Sequence, residues 1–192
     1  TDSEETAALV RDYSVPSRVV GPQCHTDDCA DITWVKDALA WFRDMPDSFA
    51  ILRPTSPFRT AETIRRAKAQ FDAHYMTSLR AVEWWSGPHP GKMWVWHGDR
   101  FMLPAMGEHW AINAPYHSSP TQSLPRVMRQ NASLEMAWTR NVSRADPPTI
   151  AGDTIAPFFT NGHEGFDINT QDDWDQAEKL IVSGAATLPR VR

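Results

Sequence analysis

One stretch, residues 49–60, constrains the fold of this chain more than any other. Phe49 to Leu52 is a short apolar run, typical of a strand that is buried on both faces. Pro54 and Pro57 end the strand, because proline has no backbone N–H to donate to a sheet. Thr60 is a suitable N-cap for a following helix. The stretch therefore predicts a strand, a polar loop and a helix in succession.

The polar loop places an arginine and two hydroxyls where α/β proteins bind ligands. Arg53, Thr55 and Ser56 directly follow the predicted strand, which we expect to be central in the sheet. Ligands of open α/β sheets bind outside the carboxyl ends of the strands. A guanidinium group and two hydroxyls at that place favour an anionic or hydroxyl-rich ligand.

The rest of the chain continues the alternation of strands and helices. Such alternation favours a doubly wound α/β sheet built on a single domain, residues 1–192. The predicted strands are 49–52, 78–82 and 164–169, with 15–21 as a short strand and loop and 154–159 as a short strand or a loop. The predicted helices are 3–10, 31–43 and 61–75, and a C-terminal helix capped by Thr170 and ended by Gly184.

Residues 84–124 interrupt this alternation. They contain five of the nine tryptophans and five prolines. Met93 to Leu103 has the pattern of a β-hairpin, with Gly98 and Asp99 in the turn. A segment rich in tryptophan and methionine favours an oligomer interface. The alternative is a lid that packs on its own chain.

Composition excludes several classes of function. A net charge of −5 argues against binding to nucleic acid, which needs a basic surface. No apolar run has the length of a membrane span. Cys24 and Cys29 are best interpreted as reduced thiols of a cytoplasmic protein, ahead of a disulfide or a zinc site.

Asp167 and Asn169 are the candidate metal ligands. They are two residues apart on the predicted strand 164–169, so that their side chains share a face. Two oxygen-bearing side chains suit a magnesium ion that takes its other ligands from phosphate. The alternative is that both residues only begin the C-terminal helix.

Four segments together resemble the acylneuraminate cytidylyltransferase family, the CMP-sialic acid synthetases. They are Leu-Arg-Pro-Thr-Ser-Pro-Phe-Arg at 52–59, His-Pro-Gly-Lys-Met-Trp at 89–94, Arg-Gln-Asn-Ala-Ser at 129–133 and Asp-Ile-Asn-Thr-Gln-Asp-Asp-Trp at 167–174. The resemblance implies a Rossmann-like, doubly wound mixed sheet of the nucleotide-diphospho-sugar transferase type, and makes 84–124 a dimerisation arm. It implies transfer of CMP from CTP to an acidic sugar, with Mg²⁺ as cofactor and a homodimer as the working form.

The resemblance also assigns roles to individual residues. It implies that Asp167 and Arg53 act in catalysis and that Asp167 and Asn169 hold Mg²⁺. The nucleotide-binding residues are Arg53, Pro54, Thr55 and Ser56. The sugar-binding residues are Lys92, Arg129 and Asn131, with Lys92 reaching the site of the partner subunit.

The chain departs from the family pattern at several positions. The basic, glycine-rich loop that holds the triphosphate in the family is missing from residues 1–192, so we expect this domain to be incomplete at its N-terminus. Glu135 replaces a sugar-contacting tyrosine, and its carboxylate is expected to repel an acidic sugar. Asn169 replaces a carboxylate, Arg53 replaces a glutamine, and Thr121 replaces an arginine. These departures leave two alternatives: a nucleotidyltransferase with another sugar or nucleotide, or a non-catalytic fragment that binds sugar or dimerises.

Overall fold

A four-stranded mixed sheet forms the centre of the computed structural model. Its strands are β1 (Ser48–Ile51), β2 (Ser78–Trp84), β5 (Met128–Trp138) and β6 (Ile155–Phe159), in the order β1-β5-β2-β6. The strands β3 (Trp94–Trp96) and β4 (Met102–Pro104) form a separate ribbon. The structure describes residues 1, 3–13, 16–17, 19–21, 24, 28–73, 75–96, 102–106 and 116–190.

The strand directions bring several loops to one end of the sheet. β5 is antiparallel to both β1 and β2, and β6 is parallel to β2. The carboxyl ends of β1, β2 and β6 therefore lie at the same end of the sheet as the start of β5. The mixed sheet agrees with the sequence-based expectation, whereas the Rossmann-like, doubly wound arrangement stays a prediction.

Helices cover both faces of this sheet. Neighbouring residues of β5 point to opposite faces, and Met136 and Ala137 accordingly join different apolar clusters. The Met136 cluster includes residues of α3 (Ala61–Ala73), which connects β1 to β2. The Ala137 cluster includes residues of α2 (Asp31–Ala40) and α4 (Arg140–Ser143).

Two more helices lie near the chain ends. α1 spans Glu4–Arg11 and α5 spans Gln171–Val182. Thr170 and Asp173 form a capping box at the start of α5, which confirms the predicted cap. Gly184 has φ +73, a conformation that glycine adopts readily, and it lies just beyond the end of this helix.

The arm, residues 84–124, carries the predicted β-ribbon. β3 (Trp94–Trp96) pairs antiparallel with β4 (Met102–Pro104), and Val95 faces Leu103. The predicted turn at 98–99 lies outside the described residues. Short 3₁₀ helices flank the ribbon at Pro90–Lys92, Tyr116–Ser118 and Thr121–Ser123.

Three local predictions are wrong. Residues 164–169 are not a strand: hydrogen bonds from Glu164 N to Asn161 O and from Phe166 N to His163 O fold this segment into turns. The described residues of 15–21 contain no strand either. In the described part of the chain β1 is an edge strand, since it pairs only with β5, and Ala50 is exposed.

The helices of the described chain are too short or too polar to cross a membrane. This observation covers only the residues placed in the structure. The predicted cytoplasmic location stays a prediction.

Candidate functional site

A cleft of about 670 Å³ opens at the end of the sheet where the loops converge. Arg53 enters it from the loop after β1, and residues 129–132 enter it from the start of β5. The loop after β6 contributes residues 162–169 in part, and the start of α2 contributes Asp31. The cleft therefore lies where α/β sheets bind ligands.

A bulge in β5 pushes the Arg129–Ser133 segment out of regular pairing. Arg80 of β2 faces Glu135 of β5, whereas Val82, two residues further along β2, faces Gln130, five residues away on β5. The extra residues of β5 cannot all pair with β2. Bulges of this kind redirect side chains and are common beside functional sites.

Arg59 holds the main chain of the loop after β1 against this bulge. Its NH1 donates to the carbonyl oxygen of Arg53 at 2.9 Å and to that of Ser133 at 2.5 Å. Burial lowers the pKa of Arg59 from its ordinary value, but a guanidinium remains charged at any physiological pH. One half-buried cation thus joins two segments that are distant in sequence.

The side chain of Arg53 is held by two carboxylates. Its NH2 donates to Asp31 Oδ2 and lies 3.8 Å from Glu135 Oε1. The hydrogen bond with Asp31 raises the pKa of Arg53 above its ordinary value. Burial opposes this rise, and the charges of Asp31, Glu135 and Asp167 add to it. Arg53 is therefore a fixed positive charge at the cleft.

Glu135 is the buried member of this network. Its side chain is 6% exposed, and its Oε2 lies 3.0 Å from Arg80 NH1. That contact is an ion pair without hydrogen-bond geometry, because Oε2 accepts no hydrogen bond among the described residues. Gln130 links the pair: it donates from Nε2 to Glu135 Oε1 at 3.4 Å and accepts from Arg80 NH1 at 3.1 Å.

The surroundings of Glu135 bear on the expectation that its carboxylate repels an acidic sugar, which stays a prediction. A lone carboxylate would repel an acidic ligand, but this carboxylate lies between the guanidinium groups of Arg53 and Arg80. Opposite charges at this distance offset each other. The sequence could not show this compensation, because it depends on the register between β2 and β5.

Arg129 lines the cleft at the junction with the arm. Its Nε donates to Glu83 Oε1, and its guanidinium carbon lies 5.1 Å from the centre of the Trp85 ring, a cation–π distance. Its side chain remains 56% exposed. Arg129 is thus oriented by its neighbours and still open to a ligand.

Asn131 is largely buried at the wall of the cleft. Its Nδ2 donates to Thr160 Oγ1 at 3.0 Å, and its Oδ1 accepts from Ser133 N at 3.3 Å. Gly165 packs against it so closely that a Cβ on Gly165 would lie 2.4 Å from Asn131 Nδ2. Asn131 therefore ties β5 to the loop after β6, and its sugar-binding role stays a prediction.

Asp167 and Asn169 lie together in the cleft, although they are not on a strand. Asn169 Nδ2 donates to Asp167 Oδ2 at 2.8 Å. Asp167 Oδ1 is shielded from solvent and has no hydrogen-bond partner among the described residues. Such an orphaned oxygen is available to a cation once the side chain turns toward the cleft.

Asp167 and Asn169 suit a magnesium ion that takes only some of its ligands from the protein. Mg²⁺ usually takes one or two carboxylates and completes its shell with water and phosphate. Asn169 would supply its oxygen after a half-turn of its amide. In the described ranges, no group of three or more histidine, cysteine, aspartate or glutamate residues is arranged to hold a metal by itself.

Glu164 anchors the loop that carries Asp167. Its carboxylate accepts from Thr63 Oγ1 at 2.8 Å, from Arg66 NH2 at 2.6 Å and from Asn161 N at 2.8 Å. Burial raises the pKa of Glu164, but these hydrogen bonds and the charge of Arg66 outweigh burial, and the pKa is lower than its ordinary value. The carboxylate is therefore held in its charged form.

The structure brings together five of the predicted site residues and leaves four apart. The five that line the cleft are Arg53, Arg129, Asn131, Asp167 and Asn169. The four that are not among its described lining residues are Pro54, Thr55, Ser56 and Lys92. The roles of all nine stay predictions.

The four outliers have other contacts. Thr55 touches the site through its main chain, since its carbonyl accepts from Ile168 N at 2.9 Å. Ser56 is buried, and its hydroxyl has no partner among the described residues. Lys92 donates from Nζ to the carbonyl oxygens of His117 and Ser119, and so it braces the arm of its own chain.

Sequence reasoning missed several residues that shape the cleft. Arg59 was within the 52–59 segment, and its spacing from Arg53 was the only available signal. Arg80 was found only through its cross-strand partner, Glu135. Glu164 had no signal, because its side-chain partners Thr63 and Arg66 are about one hundred residues away in the chain.

The chain is similar to a known enzyme over part of its length. It is 36% identical over 67 residues to N-acylneuraminate cytidylyltransferase of Escherichia coli O18:K1:H7 (strain RS218 / NMEC). The match covers 35% of this chain and 16% of the E. coli protein. No family model matches the chain.

The cleft indicates a ligand site, and the partial match suggests a broad class of protein. The site has the position of an α/β ligand site, and the relative is a cytidylyltransferase. The partial match supports a relation to cytidylyltransferases, and it suggests a nucleotidyltransferase-like protein. Substrate and reaction are therefore matters for proposal.

Proposed function

We propose that the protein transfers CMP from CTP to an acidic sugar and releases pyrophosphate. The observation that carries this proposal is the convergence of Arg53, Arg129, Asn131, Asp167 and Asn169 on one cleft. These residues come from three segments that are far apart in the sequence. All three belong to the motifs on which the resemblance rests.

In the proposed reaction a sugar hydroxyl attacks the α-phosphorus of CTP. The bond from that phosphorus to the bridging oxygen of the β-phosphate breaks, pyrophosphate leaves with the electron pair, and the hydroxyl proton passes to a base or to water. Catalysis of such a transfer consists mainly of positioning and charge neutralisation. When bound, Mg²⁺ supplies neutralisation of the phosphate charge.

The residues of the cleft divide these tasks. Asp167 and Asn169 would hold the ion, and Arg53 would supply fixed positive charge beside Asp167. Arg129 faces the sugar from the side of the arm. Asn131 keeps the loop after β6 in contact with β5, which fixes the position of Asp167 relative to the two arginines.

Pyrophosphate release tests the proposal. The native protein is supplied with CTP, Mg²⁺ and a panel of sugar acids. Asp167→Asn is expected to lower the rate by about 100-fold or more, since it removes the only carboxylate of the proposed metal site. Asp172→Asn, in the first turn of α5, is the matched control and is expected to leave the rate nearly unchanged.

Silence of the native protein with every sugar acid would overturn the proposal. Calorimetric titration then separates the alternatives. Tight binding of another nucleotide in the presence of Mg²⁺ would indicate a different nucleotidyltransferase. Binding of sugar without any nucleotide would indicate the non-catalytic module.

We also propose that the arm mediates a homodimer. Both faces of the ribbon expose apolar side chains, and Trp96 is 72% and Val95 53% exposed. Exposed tryptophan of this kind is typical of protein interfaces. Sedimentation equilibrium is expected to show a dimer for the native protein and a weaker one for Trp96→Ser. A native monomer at all concentrations would contradict this proposal.

A further inference from the structure

The floor of the cleft contains two guanidinium groups that share one buried carboxylate. Glu135 lies 3.0 Å from Arg80 and 3.8 Å from Arg53, measured between the nearest nitrogen and oxygen atoms. Its side chain is 6% exposed, whereas those of Arg80 and Arg53 are 23% and 34% exposed. The carboxylate is thus buried beneath two arginines that remain open to the cleft.

Each arginine uses only part of its hydrogen-bonding capacity here. A guanidinium group has five N–H donors in a planar fork. Arg80 makes its contacts through NH1, with Gln130 and Glu135, and Arg53 makes its contacts through NH2, with Asp31 and Glu135. The other nitrogens of both side chains have no partner among the described residues.

The neighbouring carboxylates hold these donors in place. Two guanidinium groups on one side of a cleft would repel each other without a shared anion. Glu135 removes that repulsion, and the cross-strand pairing of Arg80 with Glu135 fixes the position of both. The free donors are therefore ordered before any ligand binds, which lowers the cost of binding.

The local charge determines what kind of anion fits. Arg53 and Arg80 are paired with Asp31 and Glu135, and Asp167 adds a further negative charge near Arg53. A singly charged oxyanion gains charge-assisted hydrogen bonds from the free donors. A multiply charged phosphate would be repelled more strongly by this excess of negative charge.

We propose that Arg80 and Arg53 bind the carboxylate of the acidic sugar, and that Arg80 is a residue that determines specificity for an acid over a neutral sugar. This inference rests on the proposed function in taking the cleft as the sugar site. The sugar carboxylate accepts hydrogen bonds from the free nitrogens of both arginines. Glu135 is a positioning residue that does not touch the sugar.

The test compares a sugar acid with its uncharged ester. N-acetylneuraminate and its methyl ester are titrated calorimetrically into the native protein, without nucleotide. The acid is expected to bind about tenfold more tightly than the ester, the ratio expected for one charge-assisted contact. The ratio depends on the carboxylate alone, because the two probes share the rest of the sugar.

The double variant Arg80→Gln/Glu135→Gln removes Arg80 together with its buried partner and keeps Arg53. It removes one positive and one negative charge, so that the net charge of the protein is unchanged and no buried carboxylate loses its partner. The ratio between acid and ester is expected to fall to about two or less, a loss of most of that charge-assisted contact. Arg65→Gln, an exposed arginine of α3 paired with Glu62, is the control and is expected to keep the native ratio.

Three outcomes would overturn the inference. The double variant could retain the native ratio while its melting curve shows that it is folded. The double variant could lose binding of inorganic pyrophosphate while keeping the ratio between acid and ester binding, which would show that Arg80 and Glu135 belong to a phosphate site. The native protein could bind acid and ester equally. Failure of the proposed function is a separate result, namely discrimination of acid from ester without pyrophosphate release.

Discussion

The cleft and the arm differ in whether their side chains have partners within this chain. In the cleft, charged side chains find partners across long stretches of sequence, as Arg59 does with the carbonyl of Ser133 and Arg66 with Glu164. In the arm, apolar side chains such as Trp96 face the solvent. Contacts within this chain therefore order the cleft. The ribbon of the arm, in contrast, leaves apolar side chains uncovered by the rest of the described chain.

The largest effect is expected from breaking the cleft network. Arg80→Met leaves the carboxylate of Glu135 buried with only the more distant Arg53, and the free energy of unfolding should fall by about 3 kcal/mol. Urea unfolding measures the loss. Arg65→Gln should change stability by less than about 0.5 kcal/mol, as for other exposed pairs. Equal effects of the two variants would contradict the view that the cleft pairs are structural.

The next effect concerns the close contact that joins β5 to the loop after β6. Gly165→Ala places a Cβ 2.4 Å from Asn131 Nδ2, and overpacking of this kind should cost about 2 kcal/mol. Gly162→Ala is the matched control: Gly162 has φ +53 with no atom within 4 Å, so only backbone strain of about 1 kcal/mol is expected. Thermal unfolding compares them. A costlier Gly162→Ala would show that the contact with Asn131 is loose.

A smaller effect is expected at the base of the arm. Lys92→Met removes the two hydrogen bonds to the carbonyls of His117 and Ser119, at a cost of about 1 kcal/mol. Amide hydrogen exchange should become faster in 116–119 and stay unchanged in β2 and β5. Faster exchange in the sheet as well would show that arm and cleft unfold together.

The smallest difference is expected in the pH dependence of stability. The pKa of Glu164 is lower in the folded protein than its ordinary value of 4.5. A depressed pKa gives stability that is complete above the unfolded pKa and is lost as the pH falls through the folded one. The native protein should therefore exceed Glu164→Gln in stability at pH 7, and the gap should narrow below about pH 4.5.

Chemical unfolding at a series of pH values measures this gap. Asp72→Asn, which alters an exposed pair with Lys68 on α3, is the control and should follow the native curve closely. A gap that stays constant down to pH 3 would mean that Glu164 has no depressed pKa in the folded protein.

Local patterns in the sequence predicted much of the fold. The proline-broken segment 49–60 gave the right order of strand, loop and helix, and the capping box at Thr170 is present as expected. Both features depend on neighbours in the chain. The edge position of β1 depends on long-range pairing, so the same segment could not reveal it.

The site was predictable in its members more than in its geometry. Asp167 and Asn169 were predicted to share a face of a strand at 164–169. In the structure they are close because the segment folds into turns. The expected repulsion of an acid considered Glu135 alone. Its partner Arg80 is on the neighbouring strand, 55 residues away in the sequence, so the pairing could not be recognised. Contacts between residues so far apart depend on the register between the strands, and this register cannot be inferred from a single sequence.

The two hydrogen bonds of Arg59 separate the shape of the loop after β1 from its chemistry. They hold the main chain at Arg53 and at Ser133, and neither involves the side chain of Arg53. A substitution at residue 53 therefore leaves both of these hydrogen bonds in place. Exchange of the side chain at residue 53 could change the ligand preference of the cleft while Arg59 keeps the loop in place. Loss of Arg59 would instead affect every variant of residue 53 alike.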